Sequence, residues 1–110
     1  MALSKENVAQ LVDTARAILE ERRDIISGCR DIMRTVGRDV DVHVEPFLTI
    51  FVFESETEAY PAGDERKLWN QKSLQEKDRM AEPYVNAMRG QIFAACDRIL
   101  SDFEGDRSNY

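Results

Sequence analysis

The chain has 110 residues, with 21 Asp/Glu against 15 Lys/Arg for a net charge of -6, and 43% of it is hydrophobic. That is enough for one domain with a small core, and the 33% of charged residues beside only three prolines and five glycines argues against disorder. The acidic isoelectric point near 4.8 and the lack of clustered Lys/Arg argue against direct nucleic-acid binding, and no apolar run approaches the ~20 residues of a membrane span.

The N-terminus enters an amphipathic pattern directly and lacks the apolar core of a signal peptide, so a cytoplasmic location is expected. Val8, Leu11, Ala15, Ile18, Arg22, Ile25, Cys29, Ile32 and Val36 recur at steps of three and four, with Arg22 the polar interruption. This heptad-like seam predicts one helix over about 5–36, which would be ~48 Å long. Ser4 suits its N-cap, Glu6 its positive end, Arg34 its negative end, and Gly37 its termination. Gly28 would soften its middle.

Residues 40–66 are ambiguous. Val40–Val44 alternates like a strand and Phe47–Phe53 has high β-propensity, yet no sheet is available to join. Pro46 in the first turn of a helix fits as well, and an all-helical reading is preferred to a strand paired across a dimer. A capping box at Ser73–Glu76 opens a last helix over about 74–103, with Ala81, Tyr84, Met88, Ile92, Ala95, Ile99 and Phe103 on its apolar stripe. Pro83 predicts a kink or restart at Glu82. The expected architecture is mainly α: an antiparallel long-helix hairpin (5–36 and 74–103) covered by an irregular or short-helix middle segment. It forms one domain over 1–104, followed by a polar tail, 105–110. Cys29 and Cys96 read as buried thiols.

The charge is not spread evenly. Residues 1–39 carry seven Lys/Arg and seven Asp/Glu, and residues 67–110 again carry seven of each. Residues 40–66 hold seven acids (Asp41, Glu45, Glu54, Glu56, Glu58, Asp64 and Glu65) against Arg66, which accounts for the whole excess of six. Such concentration predicts either a solvated face or a recognition surface for something positive. Tyr60 lies within it and Trp69 just beyond it, and these are residue types that anchor interfaces, although Trp69 reads first as a core plug. Arg66 is expected to pair with Glu56 or Glu58.

Catalytic signatures are weak. His43, the single histidine, lies among valines and reads as a buried or boundary residue. Ser55 has no nucleophile elbow around it, neither cysteine has an electropositive setting, and the glycines are scattered. Glu54, Glu56, Glu58 and Asp64 could hold Mg²⁺ or Mn²⁺ in a metal-dependent enzyme, but no dedicated metal loop or Glu-x-x-His pair accompanies them. Nothing implies a cofactor.

Ser55, Glu56, Thr57 and Glu58, then Pro61, Gly63, Arg66 and Trp69, then Leu74, Lys77 and Asp78 form a pattern. It resembles a small bacterial family with the core S-E-T-[DE], P-x-G-x-x-R-x-x-W, L-x-x-K-D. The resemblance covers about a quarter of the chain and implies shared architecture; that family brings no established activity. The leading expectation is a protein-binding module of the bacterial immunity or antitoxin-like kind. Glu54, Glu56, Glu58, Tyr60, Asp64, Glu65 and Trp69 would meet a basic protein partner such as a toxin. A homodimer built on the heptad-like seam is the second expectation.

Overall fold

A computed structural model of the protein describes residues 3–104; the predicted tail, 105–110, lies outside the described residues. Four α-helices follow one another: α1 (Lys5–Leu19), α2 (Ile25–Val36), α3 (Phe47–Glu56) and α4 (Gln71–Ile99). A 3-10 turn, Gly63–Leu68, precedes α4, and a π-helical turn, Leu100–Glu104, ends it. The mainly helical fold with a long last helix is as expected. Among the described residues no helix is long and apolar enough to cross a membrane.

The single helix over 5–36 requires correction, because residues 20–24 reverse the chain between α1 and α2. Glu21 takes a left-handed φ of 58°, its N–H donates to the Ile18 carbonyl at 3.1 Å, and the Arg22 N–H donates to Ala17 at 2.8 Å. These two bonds make a Schellman stop with Glu standing where Gly is usual. Asp24 then caps α2, accepting from the Ser27 N–H at 3.0 Å. Both helices keep the seam facing inward: Leu11, Ala15 and Ile18 from α1, and Ile25, Cys29, Ile32 and Val36 from α2, are buried. Gly28 permits the close approach, since a Cβ there would lie 2.5 Å from the Ile18 side chain.

The middle segment folds as a helix. Phe47, Ile50 and Phe53, spaced by three, bury one face of α3 against α2 and α4. Pro46 sits at its N-cap, and Val40–Val44 forms turns instead of a strand. Phe53 stacks on Tyr84 of α4, centroids 5.6 Å apart, and Phe47 meets Phe103 edge-on at 6.0 Å. His43 is exposed, contrary to expectation, because the turn before α3 turns its imidazole to solvent beside Phe51.

α4 begins earlier than predicted. Asn70, not Ser73, is its N-cap, accepting from the Ser73 N–H at 2.8 Å, so Ser73 serves as the recipient of the cap. The helix passes through Pro83 without restarting, with Ala81 and Ile92 buried on either side of it. Ala81, Ile92, Ala95, Cys96 and Ile99 complete the core. Cys29 and Cys96 are buried free thiols. Burial raises both pKa values, that of Cys96 to about 12.

Candidate functional site

The acidic segment lies where α3 ends and the chain crosses to α4. Thr57 closes α3 as a buried residue, its hydroxyl donating to the Phe53 carbonyl at 2.8 Å. Beyond it the chain is gathered by one side chain that sequence reading did not single out. Arg30, on α2 and 14% exposed, donates to the carbonyls of Thr57 (2.9 Å), Glu58 (3.2 Å) and Tyr60, and to the Glu65 carboxylate (2.8 Å). A planar guanidinium suits this task because its donors fan out in a fixed fork. Its cation also offsets the negative end of α3.

Two of the predicted site residues belong to this internal clasp. The Glu65 carboxylate accepts from Arg30 and from the Ala62 N–H at 2.9 Å, and the Arg30 hydrogen bond holds its pKa below the ordinary carboxylate range. Tyr60 is half-buried, with its carbonyl tied to Arg30. Asp64 is exposed and lies 3.6 Å from Lys67.

Arg66 does not pair with Glu56 or Glu58. It forms a two-bond fork with Asp78, at 2.9 and 2.8 Å, because the 3-10 turn aims it along α4. That bond lowers the pKa of Asp78 and raises that of Arg66. Gly63, at φ 58°, donates its N–H to Ser27 Oγ at 3.1 Å. Trp69 is not a core plug: it is 38% exposed, with the Lys77 ammonium 5.9 Å from its ring centroid.

Apart from Leu74, which is half-buried on α4, the motif Ser55–Asp78 therefore divides in two. Thr57, Pro61, Gly63, Arg66, Trp69, Lys77 and Asp78 all take part in these internal contacts. Ser55, Glu56 and Glu58 are exposed, and among the described residues their side chains have no hydrogen bond or ion pair, although the Glu58 carbonyl accepts from Arg30. Glu54, half-buried, likewise has no ion pair among the described residues. The phenol pKa of Tyr84 is raised by burial and, second, by the negative charge of Glu56. Among the described residues no group of three or more His, Cys, Asp or Glu is arranged to hold a metal ion, so Glu54, Glu56, Glu58 and Asp64 do not converge on one point.

No protein-family model, curated protein or solved structure matches the chain.

Proposed function

We propose that the protein is a bacterial cytoplasmic binding module that docks on a basic protein surface through the end of α3. An immunity protein or antitoxin-like inhibitor is the concrete form. One observation carries this reading: among the described residues Glu54, Glu56 and Glu58 stand without ion pairs at the negative end of a helix, where carboxylates are unfavourable. Arg30 bonds the backbone carbonyls at the end of α3 and the Glu65 carboxylate, and Arg66 bonds Asp78, so neither pairs with these three carboxylates. A like-charged cluster whose carboxylates have no paired cation costs stability, and a cationic partner would recover it on binding. Asp64 and Trp69 lie farther along the same connector and supply the rim, with Tyr60 and Glu65 holding its shape.

The test is a pull-down from the native host with the protein as bait, comparing it with the Glu54→Lys/Glu56→Lys/Glu58→Lys variant. The expected result is a basic protein retained by the parent and lost with the variant, associating more slowly as salt rises. Recovery of no charge-sensitive partner refutes the reading. The seam that suggested a homodimer is buried within the chain, so self-association needs a different surface.

A further inference from the structure

The first three turns of α4 stand clear of the core. Residues 71–80 contain no buried side chain, and the first buried position of the helix is Ala81. A helical segment this short is marginal in water without tertiary support. It nonetheless carries apolar groups in full view: Met80 is 62% exposed, and Leu68 just before the helix is 87% exposed. Charge surrounds them. Arg66 and Asp78 neutralise one another and Lys67 adjoins Asp64, which leaves Lys72, Lys77 and Arg79 against Glu76. This overhang is therefore basic and apolar, whereas the end of α3 is acidic.

We propose that the overhang receives the acidic end of a second copy of this chain, forming a reciprocal two-fold dimer. In it, Glu56 and Glu58 of each copy face Lys72 and Arg79 of the other, and Leu68, Trp69 and Met80 are covered between them. Three observations select this occupant. The two patches adjoin on one molecule, because Phe53, three residues before Glu56 on α3, stacks on Tyr84, which lies about one helical turn from Met80. Adjoining patches of opposite sign satisfy each other when two copies are related by a two-fold axis. Of the five exposed large hydrophobics among the described residues, three, Leu68, Trp69 and Met80, belong to the overhang or to the residues just before it. Exposed apolar groups of this size gathered in one region mark an association surface. A basic partner would be repelled by the overhang and would cover the acidic end alone, so it would compete with the second copy for Glu56 and Glu58.

The experiment is sedimentation equilibrium on the full chain at low salt over a wide concentration range. Emission of Trp69, the single tryptophan, is followed in parallel. A dimer mass with a blue shift on concentration is expected. Glu56→Lys/Glu58→Lys and Lys72→Glu/Arg79→Glu should each weaken self-association about tenfold or more. Mixed together, these two variants should pair with each other, since both contacts are then complementary again; a variant that had merely lost its fold would not. A monomer throughout the range, or a dimer indifferent to both reversals, overturns the proposal. So does failure of the mixed variants to associate.

Discussion

Two corners of this molecule are built by different forces. Between α1 and α2 the chain turns within five residues, and the geometry is set by contact: Gly28 lies against the Ile18 side chain, with no room for a methyl group. Between α3 and α4 it takes a longer path, and polar bonds hold it: Arg30 to three carbonyls and Glu65, Ser27 to Gly63, and Arg66 to Asp78. A corner fixed by shape should respond to volume and backbone changes and ignore salt. A corner fixed by charge should respond to donors and protons. The acidic cluster is attached to the second kind, which explains how it keeps a defined shape without using its own carboxylates.

The sharpest way to break this contrast is Arg30→Ala. It strands several acceptors at the α3 end, and a loss of about 2–3 kcal/mol is expected in urea unfolding, with Arg30→Lys recovering only part. A cost below about 0.5 kcal/mol would show that the second corner does not depend on these bonds. Next in size, Gly28→Ala should destabilise by about 1–2 kcal/mol. Overpacking against Ile18 outweighs the propensity gain of about 1 kcal/mol, and the effect should be independent of salt. Opposite in sign, Glu21→Gly should stabilise by about 0.5–1 kcal/mol, because it relieves the left-handed backbone at the first corner. Its exposed contact with Arg89, at 3.5 Å, gives up little in return.

The smallest effect is a pH response of the second corner. The folded pKa values of Glu65 and Asp78 are lowered by Arg30 and Arg66, so their contribution is present above the ordinary carboxylate pKa. It is lost as pH falls through the lower folded values. A Glu65→Gln/Asp78→Asn variant should therefore show a shallower acid limb below about pH 4, by about 1 kcal/mol or less because both side chains are well exposed.

Helical periodicity carried most of the fold into view, and its one large omission has a physical cause. A chain that reverses between two helices facing the same core presents the same apolar spacing as one straight helix, so the seam from Val8 to Val36 conceals the turn. The local signs were the charged run Glu20–Asp24 and the Asp24–Ser27 cap, but the stop itself uses Glu21 where sequence reasoning looks for glycine. In α3 the reverse held. Strand propensity of Phe47–Phe53 competed with spacing, and burial of Phe47, Ile50 and Phe53 decided for helix. At the site, the excess of carboxylates was plain from composition. Arg30 was invisible, because its partners lie 27 to 35 residues away and nothing local marks it. Trp69 and His43 went astray for a related reason: their surroundings are made by the overhang and by the turn before α3, neither of which has a periodic signature.

Cys29 and Cys96 sit deep among the helices that meet at the core, and burial keeps their sulfurs protonated. An alkylating reagent can reach neither until the bundle parts. Their modification rate thus becomes a clock for breathing of the helices, one that runs independently of any event at the charged surface.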